Sequence, residues 1–98
     1  MTIKTIANGT EMTIAVAGRL DTTTAPELEN TVKKLTDSVT VLLLDLEEME
    51  YISSAGLRVL LSAQKQMNGK GKMIVKNVSA EVMEIFEITG FTDILTIK

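Results

Sequence analysis

The stretch that most constrains the fold is Thr40 to Leu46, Thr-Val-Leu-Leu-Leu-Asp-Leu, in which apolar residues follow one another almost without interruption. A strand with water on one side alternates apolar and polar residues, whereas a parallel strand covered on both faces is apolar nearly throughout. We therefore predict a buried central strand over residues 40–46, in a sheet whose two faces are both covered.

The residues before this strand predict a β-hairpin followed by a helix. Residues 2–6 and 12–17 are rich in Ile, Thr and Val, and an Asn-Gly turn signal lies between them. Thr24 stands three residues before Glu27, the spacing of a capping box, and a proline between them suits a first helical turn. Apolar residues then recur at helical spacing, so we predict a helix that ends near Thr36.

Downstream of the central strand, the sequence predicts two more helices and two more strands. The second helix covers about Ala55 to Asn68, and Gly69 is placed to end it in a left-handed turn. A strand at residues 72–76 follows, then a third helix that Gly90 stops, then a last strand from Ile94 to Ile97. The predicted order is β-β-α-β-α-β-α-β.

This order predicts one α/β domain over residues 1–98, with a mixed, mostly parallel sheet of four to five strands, an N-terminal hairpin and three or four helices. The loops after the strands that end near Ala17, Leu46 and Lys76 then lie on one edge of the sheet, where open α/β sheets usually bind ligands. The predicted neighbours at this edge are Asp21, Ser54 and Asn77.

Composition argues against several classes of partner and compartment. The net charge is −3 and only 3% of residues are aromatic, so neither phosphate contacts nor base stacking is favoured and we expect no nucleic-acid partner. There is no cysteine, no apolar segment of signal-peptide length and no run long enough to span a bilayer. We expect a soluble cytoplasmic protein with no direct membrane insertion.

The sequence also argues against catalysis. It contains no histidine and no phosphate-binding glycine motif, which removes the commonest proton shuttle and the commonest nucleotide signature. The acids Asp45, Glu47, Glu48 and Glu50 are interpreted as solvated loop residues rather than as a cation site. We therefore expect no catalytic residue, no metal and no cofactor, and predict that the protein is not an enzyme.

The segment from Asp45 to Leu57 is the most informative for function, because it places two serines and a glycine where the second helix begins. The first-turn N–H groups of a helix attract negative charge, so a phosphate on a serine there is compatible with folding. From the residues alone two interpretations stay open. Ser53 or Ser54 caps the helix while Gly56 allows close packing, or one of these serines is a phosphorylation site.

The hairpin, Gly18-Arg19-Leu20-Asp21, Asp45-Leu46 and Tyr51-Ile52-Ser53-Ser54-Ala55-Gly56-Leu57, in this order, resemble the STAS domain of bacterial anti-sigma factor antagonists over nearly the whole chain. In that family a serine before a small residue, glycine and leucine is phosphorylated by an anti-sigma factor that is also a serine kinase. Only the unphosphorylated protein binds the kinase and frees the sigma factor. The resemblance implies that Ser54 is the phosphorylated serine, with Ser53, which replaces the family's usual aspartate, as its rival.

The resemblance also implies the partners and a partner-binding surface. The partners are an anti-sigma factor serine kinase and a serine phosphatase that resets the switch. The implied partner-binding residues are Asp21, Thr22, Thr23, Met49, Ile52, Ser53, Ser54, Gly56, Leu57 and Arg58. Because the chain stops at Lys98, right after the last predicted strand, the terminal helix common in the family is expected to be absent or very short.

Two other functions remain open for the same fold. The first is a STAS module whose serine is never modified and which serves as a subunit of a membrane transport complex or a signalling scaffold. The second, a sensor that binds a nucleotide or a lipid, is less favoured because a small domain with few aromatic residues offers little concave volume.

Overall fold

The chain begins with the predicted hairpin. In the computed structural model, which describes all of residues 1–98, strand β1 (Thr2–Asn8) pairs antiparallel with strand β2 (Glu11–Leu20). The second strand runs three residues beyond its predicted end at Ala17. It is therefore long enough to pair with two different strands along its other side.

Those two strands are both parallel to β2. The first half of β2 pairs with β3 (Val41–Asp45), which in turn pairs with β5 (Lys72–Lys76). The last residues of β2 pair with β4 (Met49–Ile52), a strand that is absent from the predicted order. The sheet thus has five strands in the order β1-β2-β3-β5, with β4 beside the far end of β2. The predicted mixed sheet and the central place of residues 40–46 are confirmed.

Three helices pack on this sheet: α1 (Ala25–Lys33), α2 (Ser54–Asn68) and α3 (Ala80–Thr89). The helix α1 ends three residues before the predicted Thr36. A short 3-10 turn, Phe91–Asp93, follows α3. The buried side chains of all three helices join those of the strands in one core of 22 residues. None of the helices is long and apolar enough to cross a membrane.

Complete burial is confined to one face of the sheet, so the prediction that both faces are covered was wrong. In β3, Leu42 and Leu44 are fully buried while Val41 and Leu43 are half-buried. The same alternation occurs in β5. The buried side chains of the helices pack on the face of Leu42 and Leu44. The opposite face has no helix over it, so its aliphatic residues stay half-buried.

The predicted last strand, residues 94–97, is reduced to a single bridge between Val75 and Ile97. The Val75 N–H donates to the Thr96 carbonyl (2.8 Å), and the Lys98 N–H donates to the Val75 carbonyl (2.9 Å). Ile94 still has a helical backbone as the cap of the 3-10 turn, so only the last residues of the chain reach the outer edge of β5.

The two glycines that end α2 and α3 behave differently. Gly90 ends α3 as predicted, and its φ of +80° lies in the left-handed region. Gly69 has φ −81°, so the left-handed turn predicted there was wrong. The Met67 carbonyl accepts the N–H groups of Lys70 (3.0 Å) and Gly71 (2.7 Å) instead, and the chain leaves α2 in a right-handed conformation.

Candidate functional site

The candidate site lies where β2 and β4 end side by side. Leu20 is opposite Ile52 in the parallel ladder, and the Ser53 N–H donates to the Leu20 carbonyl at 2.8 Å. The loop that follows β2 and the first residues of α2 are therefore neighbours. This is the edge at which the sequence placed Asp21 and Ser54 together.

Asn77 does not belong to this edge, contrary to the prediction. Its side-chain N–H donates to the Asp45 carboxylate at 3.0 Å, and Asp45 lies opposite Ala15. Ala15 precedes Leu20 by five residues, which is about 16 Å along a strand. The difference arises because β4 extends the sheet beyond the ends of β3 and β5, and that extension was not predicted.

Asp21 organises the loop after β2. Its carboxylate accepts hydrogen bonds from the Thr23 hydroxyl (2.8 Å), the Thr23 N–H (3.0 Å) and the Thr24 N–H (3.1 Å). The hydrogen bond from the Thr23 hydroxyl is the largest cause that lowers the pKa of Asp21 below its ordinary value; partial burial opposes it, and the N–H groups add to it. The Arg19 Nε lies 3.7 Å from the other carboxylate oxygen. The loop therefore holds a negative charge at a fixed place.

Thr24 stabilises the same loop and does not form the predicted capping box. Its hydroxyl accepts the Asp21 N–H (2.8 Å) and donates to the Arg19 carbonyl (2.8 Å). With both functions of the hydroxyl engaged in the loop, no side-chain cap remains for α1. A proline in the first turn of α1 reduces the cost of the missing cap, because proline has no N–H that needs a partner.

The two serines at the start of α2 have different environments. Ser53 is the N-cap, and its half-buried hydroxyl accepts the Gly56 N–H at 3.3 Å. Ser54 is the first residue of the helix and is exposed, and its hydroxyl makes none of the side-chain hydrogen bonds of the protein. The first turn of α2 contains no acidic residue. One serine thus closes the helix end, while the other presents a free hydroxyl to solvent.

Gly56 holds this helix end against the strands. A Cβ atom added at Gly56 would lie 2.8 Å from the Ile52 Cγ1 and 2.8 Å from the Leu20 Cγ, closer than van der Waals contact allows. The absence of a side chain lets α2 approach β2 and β4 directly. The position of Ser54 relative to the Asp21 loop is fixed by this contact.

Four of the residues predicted to contact a partner are buried: Gly56, which faces the strands, and three side chains of the core. Met49, Ile52 and Leu57 are 3%, 2% and 7% exposed, so they support the site from behind and offer no surface to a partner in this conformation. Their assignment as direct contacts is therefore revised. The exposed members of the predicted set are Thr22, Thr23, Ser54 and Arg58, with Asp21 and Ser53 half-buried beside them.

Two exposed residues at this edge were missed as site residues by the sequence analysis. Arg19 and Tyr51 are opposite each other in the ladder between β2 and β4, and the Arg19 guanidinium carbon lies 4.3 Å from the centroid of the Tyr51 ring. Tyr51 is 38% exposed. Prediction of the pairing between β2 and β4 would have placed these two residues side by side. The ladder shifts register after Gly18, and Glu50 is left over, which hides the usual alternation of a strand.

The acids that precede this edge are dispersed. The Asp45 carboxylate accepts the Glu47 N–H at 3.1 Å in addition to the amide of Asn77. Glu47, Glu48 and Glu50 are exposed, and no cluster of three or more acidic residues in the chain is placed to hold a metal ion.

Comparison with known proteins gives one consistent result. Residues 2–98 match the family described as the STAS domain. The chain is 34% identical over 88 residues to the anti-sigma-B factor antagonist of Listeria monocytogenes, which covers 87% of this chain and 76% of that protein.

Solved structures share the architecture. An anti-sigma factor antagonist from Mycobacterium paratuberculosis superposes with a TM-score of 0.88 at 23% identity, over 98% of this chain and 83% of that one. The Bacillus cell fate determinant SpoIIAA in its phosphorylated form superposes with a TM-score of 0.77 at 16% identity, over 99% of this chain and 91% of that one. At these identities the likeness is one of fold.

Proposed function

The chain belongs to the STAS domain family, and on this basis we propose that it is an anti-sigma factor antagonist controlled by phosphorylation of Ser54. The unphosphorylated form binds an anti-sigma factor that is also a serine kinase, and the phosphorylated form releases it. A serine phosphatase restores the binding form. In this cycle the protein is a ligand and a substrate rather than a catalyst.

The observation that supports this proposal most is the free, exposed hydroxyl of Ser54 at an acid-free helix start. A kinase must reach the hydroxyl oxygen, and at Ser54 no existing hydrogen bond has to be broken. The rival Ser53 is half-buried, and its hydroxyl already caps the helix through Gly56. Phosphorylation of Ser53 would remove a cap whose loss typically costs about 1 kcal/mol.

A phosphate on Ser54 is compatible with the fold because of its position. It lies beside first-turn N–H groups that have no helical partner and carry the positive end of the helix dipole. The modification adds about −1.5 to −2 charges to an exposed surface. The domain stays folded while the surface that it presents changes sign.

The same charge weakens an interface that forms over it. Leaving a charge poorly paired at an interface costs on the order of 2 to 5 kcal/mol, or roughly thirty-fold to several-thousand-fold in affinity. Asp21 adds a fixed negative charge next to the modified residue. A partner that accommodates Asp21 therefore meets a second, larger negative charge after phosphorylation.

We assign the partner-binding surface to the exposed residues of this edge together with the half-buried Asp21, and name it the docking rim. It comprises Arg19, Asp21, Thr22, Thr23, Tyr51, Ser54 and Arg58. Tyrosine and arginine are enriched among the residues that dominate binding energy at interfaces. The cation–π pair of Arg19 and Tyr51 is therefore proposed as the main contact of the rim.

The relatives support the proposed antagonist function and its control by phosphorylation. The Listeria monocytogenes relative is named for antagonism of an anti-sigma factor. SpoIIAA, which shares the fold, is described in both an unphosphorylated and a phosphorylated form.

The test uses wild-type, Ser54→Ala, Ser54→Asp and Ser53→Ala proteins as baits in extract of the native cell, with bound proteins identified by mass spectrometry. Purified bait and recovered kinase are then incubated with ATP, and the mass gain of one phosphate is measured. We expect an ATP-binding anti-sigma kinase on wild type, Ser54→Ala and Ser53→Ala, and none on Ser54→Asp. Only Ser54→Ala and Ser54→Asp are expected to resist phosphorylation.

Two outcomes would overturn the proposal. Phosphate on Ser54→Ala but not on Ser53→Ala would move the modified site to Ser53. Retention of the same transporter or scaffold subunits by all four baits, with no phosphate on any of them, would favour an unmodified structural module.

A further inference from the structure

We propose that the groove between α1 and α2 docks an acidic helix of the anti-sigma factor, with Arg58 and Lys65 as its two charged contacts. We further propose that phosphate on Ser54 displaces this helix by pairing with Arg58. This inference rests on the proposed function. The phosphate on Ser54 competes with the carboxylates of the partner helix for Arg58.

The groove begins at the docking rim and runs along the two helices. It has a volume of about 440 Å³, and Thr22 and Ala55 line it beside the start of α2. Ala25 is buried and Ala55 is half-buried, so these two small residues form the floor of the groove. Ser62 and Lys65 line the end that is remote from Ser54.

The charge of the groove is positive, against the net charge of −3 of the whole chain. Arg58 and Lys65 line the groove and are exposed, and neither takes part in any of the three ion pairs of the protein. Glu29, the only acid of the groove, pairs with Lys33 at 3.7 Å. Two unpaired cations thus face whatever occupies the groove, which favours an acidic occupant.

The spacing of the two cations favours a helix as that occupant. Arg58 and Lys65 are seven residues apart, two turns of α2, which places them about 10 Å apart along the axis. Acids seven residues apart on a second helix have the same spacing and also lie on one face. A helix that lies along the groove with acids at this spacing can therefore pair with both cations at once.

Ser54 is placed to disrupt this pairing. It is four residues before Arg58 on α2, and such side chains are neighbours, about 5–6 Å apart at Cβ. A phosphate on Ser54 offers Arg58 an intramolecular anion that needs no partner and forms charge-assisted hydrogen bonds. Lys65 lies eleven residues from Ser54, about 16 Å along the helix, and stays outside this competition.

The experiment measures the affinity of the purified anti-sigma kinase, recovered with the baits described above, by isothermal titration. The variants are Lys65→Glu, the neutral Lys65→Gln, Arg58→Ala, Ser54→Asp and the pair Arg58→Ala with Ser54→Asp. Lys72→Glu is the matched control, because Lys72 is an exposed, unpaired lysine on β5 away from the groove. Thermal unfolding of each variant checks that it is folded.

We expect Lys65→Glu to weaken binding by about tenfold or more, since like charges face each other, and Lys65→Gln to weaken it less. Lys72→Glu should bind as wild type does. The loss caused by Ser54→Asp should be smaller in the Arg58→Ala background than in wild type, because the competition for Arg58 is then absent.

The contrary results are separable. Equal affinity of wild type and Lys65→Glu, with Ser54→Asp still unable to bind, overturns the groove and leaves the phosphorylation switch intact. If Ser54→Asp lowers the affinity for the kinase as much in the Arg58→Ala background as in wild type, the proposed competition for Arg58 is wrong. Failure of the wild-type protein to bind the kinase at all overturns the proposed function itself.

Discussion

The starts of α2 and α3 use the same capping chemistry in different surroundings. In α2 the Ser53 hydroxyl accepts the Gly56 N–H at 3.3 Å, and in α3 the Ser79 hydroxyl accepts the Val82 N–H at 3.2 Å. Both caps have an extended backbone. The serine cap by itself therefore distinguishes neither helix as a functional site.

The residues around each cap account for the difference. The residue after the cap is exposed in both helices, but it is Ser54 in α2 and Ala80 in α3. The first turn of α3 contains Glu81, whereas that of α2 has no acid. An unfilled positive helix end with a free hydroxyl therefore occurs at α2 and not at α3.

The largest effect on stability is expected at Gly56, where α2 approaches the strands more closely than α3 does. The equivalent position of α3 holds the fully buried side chain of Val82, so only α2 lies too close to the strands for a side chain. Overpacking by Gly56→Ala should cost about 1–3 kcal/mol of unfolding free energy. The better helix propensity of alanine, about 1 kcal/mol, offsets part of this. Urea denaturation measures the net change.

Gly69→Ala is the matched control, at the residue that follows the last turn of the same helix. The atom nearest to an added Cβ there is the Gln66 carbonyl oxygen at 3.9 Å, so Gly69→Ala should be neutral or stabilising. If Gly56→Ala were as stable as this control, the close approach of α2 to β2 and β4 would be incorrect.

A smaller, equal effect is expected from removing the two caps. Ser53→Ala and Ser79→Ala should each lower the unfolding free energy by about 1 kcal/mol, because each leaves one first-turn N–H without its partner. Denaturation of the two variants in parallel tests this equality. A loss confined to Ser79→Ala would show that the Ser53 hydroxyl is not the cap and would reopen Ser53 as the phosphate acceptor.

Sequence patterns predicted the elements whose signals are local. The hairpin, the three helices and strands β3 and β5 follow from runs of similar residues, turn signals and helical spacing, and they are confirmed. The neighbourhood of Asp21 and the start of α2 followed from the parallel order of the strands, and the ladder between Leu20 and Ile52 confirms it.

The errors come from contacts that a sequence pattern does not reveal, whether the partners are distant or close along the chain. Strand β4 exists only because it pairs with the end of β2, and a register shift at that point removes the alternation that a pattern search needs. The pair of Arg19 and Tyr51 was missed for the same reason. Thr24 has the spacing of a capping box, but Asp21 and Arg19 engage its hydroxyl first, and the spacing to Glu27 does not reveal that competition.

The smallest effect is expected from adding one negative charge at each helix start, with Ser54→Asp and Ala80→Asp. An acid in the first turn stabilises a helix by about 0.3–1 kcal/mol at low ionic strength. The gain should be larger for Ser54→Asp, because Glu81 already complements the dipole of α3. Thermal unfolding in low and high salt measures both gains, which salt should reduce.

This last pair separates two explanations of the switch. If Ser54→Asp stabilises the domain while it prevents kinase binding, the negative charge acts at the interface and not by unfolding the helix end. Ala80→Asp should bind the kinase as wild type does, because Ala80 lies outside the docking rim. If Ser54→Asp instead destabilised the domain while Ala80→Asp did not, the loss of binding would have to be attributed to local unfolding of α2, and the groove would not be needed to explain it.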